Sequence, residues 1–461
     1  MKRFITTIRN IYHIEELRKR ILYTLGIILI YRIGSYISLP GIDVKALSMT
    51  AFTANSQKGL LGMLDMFSGG AFSNASIFAL GIMPYISASI VIQLLTLVVP
   101  YFQRLQREGE SGRKKITQLT RLLTIAVTAL QAPAYLANMV NTVGTHSGVF
   151  HTLTGEVIEG NLPFSFIFTS LIVLVSSTLF IMWLGERITE KGVGNGISLI
   201  IMIGIIARLP FALSAEFASK VAETGNGGLV VFLIEIVLLI AVIFVTILLV
   251  QGTRRVPVQY AKRIEGNRMY GGQRQYLPLK VNAAGVMPII FAQAIMFLPL
   301  TIMGFASNTE AMSGFAAAMT NFEGFWYNLV FFILIIMFTY FYTAITFNPR
   351  QIAEDMKRNG GFIPGVKPGR KTEEFIDTII SRITLPGAIF LGIIAIMPAF
   401  ARIFGINSQF AQFFGGTSLL ILVGVVLDTL QQIESHLLMR HYDGLTSSGR
   451  IKGRNSAGLP V

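Results

Sequence analysis

Residue types that perform enzymatic chemistry are sparse in this chain. The five histidines are scattered, and none lies at metal-ligand spacing from carboxylates. Gly360 and Gly365 have the spacing of a phosphate-binding loop, but Val366 stands where such a loop carries lysine. The GNG at 194–196 is a lone glycine pair, and a turn or helix start explains it better than nucleotide binding. Cysteine is absent, which excludes a thiol nucleophile and a thiolate metal site. We therefore expect no enzymatic activity and no cofactor.

Ionisable residues inside long apolar segments are the next candidates for chemistry. The candidates considered are Arg32, Arg121, Glu235 and Asp428. Coupled transporters carry carboxylates near the bilayer midplane, so Glu235 keeps a secondary transporter of small solutes open as the alternative function. Asp65, in a short apolar stretch, is a better functional candidate, and a local polar contact explains it equally well.

The composition predicts a membrane protein with many spans. The chain of 461 residues is 52% hydrophobic and 13% charged, whereas soluble domains are about 25% charged. Segments of about 20 apolar residues cross a bilayer as helices. Ten such spans are predicted, at 21–38, 74–99, 117–138, 163–185, 194–213, 228–250, 283–303, 325–347, 383–400 and 411–434.

The distribution of basic residues predicts the orientation. Ten spans place both termini on one side, and that side carries 31 of the 38 Lys and Arg residues, against 5 on the other. Basic residues accumulate in cytoplasmic loops, so both termini should be cytoplasmic.

The span count also suggests two halves. Spans one to five occupy 1–213 and spans six to ten occupy 228–461, with a hinge loop at 214–227. An odd number of spans per half inverts the second half, as in an inverted repeat. Two cytoplasmic loops, 251–282 and 348–382, are long and basic, and long loops usually carry function.

The second span does not have the sequence of a plain anchor. Its segment 76–95 is uncharged and apolar, and small and polar residues interrupt it at Gly81, Pro84, Ser87, Ser89 and Gln93. Such residues usually face other helices or a water-filled path. Ile82 and Ile86 are four residues apart and should share one helix face, as should Ile197 and Ile201 in the fifth span.

A short apolar stretch, 59–67, precedes this span. It is too short to cross a bilayer and ends at a glycine pair, 69–70. A short helix leading into a span suggests a re-entrant segment, which needs protein or a cavity to shield its backbone.

Several long motifs resemble the SecY/Sec61-alpha family of protein-translocation channels. They occur in family order at 76–89, 185–199, 271–288, 348–365 and 415–421, and the resemblance covers essentially the whole chain. It implies an all-α integral membrane protein in which ten transmembrane helices form two pseudo-symmetric five-helix halves around a pore. A re-entrant plug helix is implied as well.

The resemblance implies a pore with a narrow aliphatic ring. The ring residues, carried over by motif, are Ile82, Ile86, Ile197, Ile201, Ile290 and Ile421. An apolar constriction excludes water and ions, and it offers no specific binding site to a passing polypeptide. For any single isoleucine, a place in the core or against lipid is the simpler interpretation.

The resemblance also implies a plug and a lateral gate. The plug is the stretch 59–70, whose flanking glycines would be hinges, and its implied residues are Leu60, Leu61, Met63, Leu64, Asp65, Met66 and Phe67. The second and third spans would meet the seventh and eighth at the gate, with Ser87, Gln93 and Gln293 as its polar residues. Apolar segments would leave sideways into lipid, whereas polar ones pass through.

The two long basic loops are implied to dock the ribosome or a motor ATPase. The residues are Arg254, Arg255, Lys262, Arg263, Arg268, Lys357, Arg358, Lys367 and Arg370. The family generally carries arginine where this chain has Lys367, which keeps the charge but lacks the planar fork of a guanidinium. Arg370 is a second candidate for this role.

The implied function is a passive protein-conducting channel of the bacterial inner membrane. Its expected partners are the small subunits SecE and SecG, the SecA motor ATPase, the ribosome and signal sequences of preproteins, together with YidC, SecDF and membrane lipids.

Overall fold

A computed structural model describes residues 14–48, 59–143, 148–151, 158, 163–222, 228–260, 263–265, 268–270, 274–282, 285–305 and 324–447. Within these ranges, seven helices are long and apolar enough to cross a membrane, and a bent helix pair raises the number to eight. A helix also lies at each of the ten predicted spans. The chain is a multi-pass membrane protein, as its composition predicts.

The helices are numbered in chain order. They are α1 (Glu15–Gly34), α2 (Val44–Ser48), α3 (Gly59–Phe67), α4 (Met83–Val98), α5 (Pro100–Arg107), α6 (Glu110–Val143), α7 (Phe164–Lys191), α8 (Gly196–Ala222), α9 (Gly228–Gln251), α10 (Met287–Phe305), α11 (Phe325–Thr346), α12 (Pro349–Arg358), α13 (Arg370–Ile403), α14 (Ser408–Ala411) and α15 (Gly416–Ser447).

The second span is shorter than the sequence predicts. Residues 77–82 form turns, and the helix α4 begins at Met83. Gly81 has a φ of 55°, which a right-handed helix does not allow, and Pro84 then occupies the first turn, where its missing N–H costs nothing. At the other end, α4 and α5 meet at a bend of 98°.

The fifth span is longer than predicted. The helix α8 continues to Ala222, so most of the described part of the expected hinge loop 214–227 is helical. Glu216 and Lys220 are buried on this extension and lie near Glu235 of α9. Burial of these side chains fixes the last turns of α8 against the following helix.

The two long basic loops contain strands that the sequence analysis did not assign. They are β1 (Thr253–Tyr260), β2 (Arg263–Glu265), β3 (Arg268–Tyr270), β4 (Arg274–Lys280) and β5 (Gly361–Phe362). The antiparallel sheet has the order β4-β1-β5, so a strand from each loop joins one sheet. Valines of β1 pack on Met356 of α12 and Ile376 of α13, which gives this sheet its own small core.

A large apolar core lies between the helices. It contains the aromatic residues Tyr31, Phe78 and Phe331 together with many isoleucines, and residues of both predicted halves contribute to it. The helix α8 is central, because it contacts α3, α7, α9 and α15. Close contact between α7 and α8 requires Gly196, where an added Cβ would lie 2.0 Å from the carbonyl oxygen of Gly185.

Candidate functional site

Four of the six predicted ring residues surround one small space in the centre of the molecule. Ile86 of α4, Ile201 of α8, Ile290 of α10 and Ile421 of α15 line it. Phe67, the last residue of α3, also lines it. Side chains from four separate helices therefore converge where the resemblance places a constriction.

The other two ring residues lie in the same apolar core. Ile82 is buried, and its carbonyl accepts a hydrogen bond from the Ile86 amide at 3.1 Å in the first turn of α4. Ile197 is partly buried and packs against Gly185 of α7.

A wide cavity lies on the other side of the same isoleucines. Its volume is about 590 Å³, and Ile201, Ile290 and Ile421 form part of its lining together with Lys280 of β4. We call it the funnel. Its other walls include the polar residues Asn195, Ser198, Asn282, Asp428, Thr429, Gln431, Gln432 and Ser435. The three isoleucines thus lie between the funnel, whose wall mixes polar and apolar residues and includes Lys280 of a basic loop, and the space at Phe67.

The short helix α3 lies where the resemblance predicts a plug. Met66 and Phe67 are buried in the main core, and Asp65 is 3% exposed. The helix ends at Phe67, and Gly69 and Gly70 follow it with φ angles of 66° and 94°, which favour glycine. The predicted plug residues Leu60, Leu61 and Met63 belong to α3, but their side chains lie outside the described part of the structure.

Contact between α3 and α8 is unusually close. A Cβ added to Gly204 of α8 would lie 2.6 Å from the carbonyl oxygen of Phe67 and 3.2 Å from the amide nitrogen of Gly69. Only glycine allows the backbones to approach in this way.

The carboxylate of Asp65 is held by the guanidinium of Arg208 and by the backbone amide of Ser73. Arg208 of α8 donates to Oδ2 of Asp65 and, through Nη2, to Oγ of Ser73 at 2.7 Å. The backbone amide of Ser73 donates to Oδ1 of Asp65 at 2.8 Å. Asp65 therefore makes more than the local contact that its sequence neighbours indicated. Its partner Arg208 had no place among the predicted site residues.

The predicted gate helices meet at a sparse seam. The helix α10 touches α4 and α6, but much less extensively than it touches α11. Gln293 is buried beside the space at Phe67 and interacts with Tyr327 of α11. Gln93 donates to Ser89 Oγ of its own helix at 3.3 Å, and Ser87 is half-buried.

Six of the nine predicted docking residues have described side chains on a shared surface. We call the unit of β1, β4, β5, α12 and the start of α13 the basic platform. Its exposed side chains include Arg254, Arg255, Lys357, Arg358, Lys367 and Arg370. Lys262 lies outside the described residues, and the side chains of Arg263 and Arg268 are not described either. The sequence analysis treated the loops separately, and pairing of β1 with β5 joins them.

Two contacts organise the platform near Lys367. The Thr372 hydroxyl donates to the Lys367 carbonyl at 3.0 Å, which fixes the turn before α13. Glu374 lies between Arg370 and Lys371, at 3.5 and 2.9 Å from their nitrogens. The hydrogen bond and charge of Lys371 lower the pKa of Glu374, so this carboxylate remains ionised and partly offsets the positive charge of Arg370.

The charged residues within the spans have identifiable surroundings. Glu235 lies 3.5 Å from the ammonium group of Lys220, so it faces a cation and not an open path. Asp428 lines the funnel. Arg121 pairs with Glu186 across α6 and α7. Arg32 donates to the Gly69 carbonyl at 3.0 Å and thereby contacts the end of the plug segment.

Comparison with known proteins places this arrangement among translocation channels. The family model SecY matches residues 76–430. The chain is 43% identical over 448 residues to the protein translocase subunit SecY of Streptomyces coelicolor, covering 95% of this chain and 99% of that one. It is 39% identical over 455 residues to the same subunit of Chlamydia trachomatis, covering 97% and 99%.

Solved structures support the same fold at low identity. A protein-conducting channel matches with a TM-score of 0.63 and 17% identity, covering 96% of this chain and 95% of that chain. Sec61 in the canine ribosome-channel complex from the endoplasmic reticulum matches with a TM-score of 0.61 and 16% identity, with the same coverage.

Proposed function

This chain belongs to the SecY family, and on that premise we propose that it is the protein-conducting channel of a Sec translocon. It passes unfolded secretory proteins across the membrane and releases transmembrane segments sideways into lipid. It is not an enzyme: the channel is passive, and the driving force comes from cytoplasmic partners.

One observation carries this proposal. The funnel and the space at Phe67 are both lined by Ile201, Ile290 and Ile421, and these residues lie on three different helices. A wide entrance with polar residues in its wall that narrows to an aliphatic constriction suits a passing polypeptide, because an apolar constriction excludes ions and binds no particular side chain. A solute transporter would need a compact polar site at that depth.

The same geometry supports the roles of plug and gate. We define the plug segment as residues 59–70. It closes the channel on the side of the ring that faces away from the funnel, and the ring consists of Ile82, Ile86, Ile197, Ile201, Ile290 and Ile421. The seam of α10 with α4 and α6 is the lateral gate. A seam with few contacts opens when an apolar signal helix binds the open state better than the closed one.

The basic platform is the docking surface for partners. Its exposed lysines and arginines suit the phosphates of ribosomal RNA and acidic faces of a motor ATPase such as SecA. The ribosome complex of canine Sec61 supports the first assignment. SecE, SecG, YidC and SecDF are the further partners that membership of the family suggests. Both termini and the platform face the cytoplasm at a bacterial inner membrane.

Reconstituted translocation tests the function. Proteoliposomes would hold the chain with its small partner subunits, and the motor ATPase, ATP and a labelled preprotein would be added before protease. We expect an ATP-dependent fragment that protease does not reach. Uptake of a labelled solute without protection of the preprotein, with partners active on a known channel, would overturn the proposal in favour of a transporter.

Cross-linking tests the gate. The chain has no cysteine, so cysteines introduced at Ser87 and Gln293 are its only targets for a short bifunctional thiol-reactive cross-linker. We expect the reagent to stop translocation, and each single cysteine variant is its control. Undiminished translocation through the cross-linked protein would exclude a gate at this seam.

A further inference from the structure

The plug segment carries a buried charge whose partner lies on a different helix. The side chain of Asp65 is 4% exposed, and its ion-pair partner Arg208 is 21% exposed. The two residues are 143 positions apart in the chain. A carboxylate at this depth needs a cation and hydrogen bonds, because burial of an unpaired charge is very costly.

Arg208 binds two segments at once. One bond goes to Asp65 in the plug helix, and the other goes to Ser73 in the turn that follows the plug segment. The guanidinium has donors for both acceptors in one plane. If the plug helix moved away, Arg208 would keep Ser73 as a partner.

The end of the plug segment and the turn that follows it are also held by hydrogen bonds that do not involve Asp65. The Tyr31 hydroxyl donates to the Ser68 carbonyl at 3.2 Å, and Arg32 donates to the Gly69 carbonyl at 3.0 Å. The Tyr135 hydroxyl donates to the Phe72 carbonyl at 3.0 Å. These donors lie on α1 and α6. The plug helix α3 can move away while this turn stays in place only if Asp65 separates from both Arg208 and Ser73.

We propose that Asp65, Arg208 and Ser73 form a breakable latch that sets how often the resting channel opens. This inference rests on the proposed function of residues 59–70 as a plug. Asp65 borders a small cavity whose wall also includes Gln409 and Gln412, so a displaced carboxylate has the side-chain amides of two glutamines at the same cavity. The latch holds the plug helix closed through one ion pair, while the anchored turn keeps the second partner of Arg208 in position for reclosure.

The buried charges predict an unusual order of ion leak among variants of Asp65 and Arg208. Arg208→Gln leaves the carboxylate buried without its cation, which strongly disfavours the closed state. Asp65→Asn removes the charge and keeps a side chain of the same shape. The double variant has neither charge, so it should close better than Arg208→Gln alone. Loss of packing alone would make the double variant at least as leaky as Arg208→Gln.

The test measures ion leak through proteoliposomes that contain the channel with its partner subunits and no preprotein. We expect Arg208→Gln to raise the leak about tenfold or more over wild type, Asp65→Asn to raise it less, and the double variant to restore most of the seal. Arg187→Gln is the matched control, because it breaks an exposed pair with Glu190 and should leave the leak unchanged.

Two results would overturn the latch. One is a leak in Arg208→Gln equal to wild type, and the other is a double variant as leaky as Arg208→Gln. If Arg208→Gln does not fold, Asp65→Asn decides, since a wild-type leak in that variant excludes the latch. Protection of a preprotein by the wild-type channel is measured in the same vesicles. Its failure would overturn the proposed function, whereas its success without leaky variants would overturn the latch alone.

Discussion

The helix α8 carries two buried groups of charges, and they differ in what surrounds them. Near its middle, Arg208 holds one carboxylate, on a short helix beside a cavity. Near its end, Lys220 lies 3.6 and 3.5 Å from the carboxylates of Glu216 and Glu235. We call these last three residues the Lys220 cluster. The first group joins the short helix α3 to α8, and the second joins the two long helices α8 and α9.

The backbone contacts of the Lys220 cluster explain why it should be permanent. Lys220 donates to the Gly405 carbonyl at 3.1 Å, and the Asn407 amide donates to Oε2 of Glu216 at 2.9 Å. The three side chains are at most 9% exposed. They cannot separate without leaving a charge in an apolar interior. Burial thus makes the Lys220 cluster a permanent structural contact, which we call the joint. Access to a cavity makes the pair of Asp65 and Arg208 a latch.

Replacement of Lys220 should have the largest effect of the changes considered. Lys220→Met leaves two buried carboxylates without a cation, which should destabilise the protein by about 3–5 kcal/mol. Thermal unfolding of the purified channel in detergent measures the loss. Arg187→Met breaks an exposed pair and should cost no more than about 1 kcal/mol. A Lys220→Met variant as stable as Arg187→Met would remove the distinction between joint and latch.

A side chain at Gly204 should affect the latch region alone. Gly204→Ala places a methyl group against the backbone of Phe67 and Gly69. The plug helix must shift, at a cost of about 1–3 kcal/mol to the closed state. We expect a higher ion leak with nearly unchanged thermal stability. Gly26→Ala on α1 is the matched control, because an added Cβ there meets nothing within 4 Å. Equal leaks from the two variants would mean that the plug does not depend on this contact.

The aliphatic ring can be weakened without touching either group of charges. Ile421→Asn puts an amide where Ile421 is 3% exposed and borders the funnel. Because the funnel offers partial solvation, the cost to the closed state should be about 0.5–2 kcal/mol. We expect preproteins with defective signal sequences to pass more readily, as measured by protease protection. Ile421→Val keeps the ring apolar and is the control. Wild-type discrimination in Ile421→Asn would argue against the ring assignment.

The sequence analysis located the elements better than the contacts between them. Spans follow from hydropathy, which is a local property, and the ring residues followed from motifs. The pair of Asp65 with Arg208 joins positions 143 residues apart, and no spacing rule connects them. The sequence analysis therefore treated Arg208 only as one of the few basic residues on the side of the membrane opposite the termini. A readable signal did exist for Glu216 and Lys220, because charges at i and i+4 share a helix face.

The departures in secondary structure have similar causes. The start of α4 moved to Met83 because the chain must turn at Gly81 before the helix begins, and hydropathy does not register a turn made of apolar residues. The basic platform was missed because β1 pairs with β5 across about 100 residues of chain. Two loops that look separate in the sequence thus form one basic surface only after folding.

The hydroxyl of Tyr135 offers the smallest and most selective test of the contrast between the latch and the Lys220 cluster. Tyr135→Phe removes one hydrogen bond to the Phe72 carbonyl in the anchored turn and leaves the Asp65–Arg208 pair intact. The loss should cost about 0.5–1.5 kcal/mol. If the turn returns Arg208 and Ser73 to position for reclosure, the leak should rise modestly and plug reclosure after a translocation event should slow. Time-resolved ion leak after preprotein release measures both. Normal reclosure in this variant, together with a leaky Arg208→Gln, would mean that the ion pair works as a latch without help from the anchored turn.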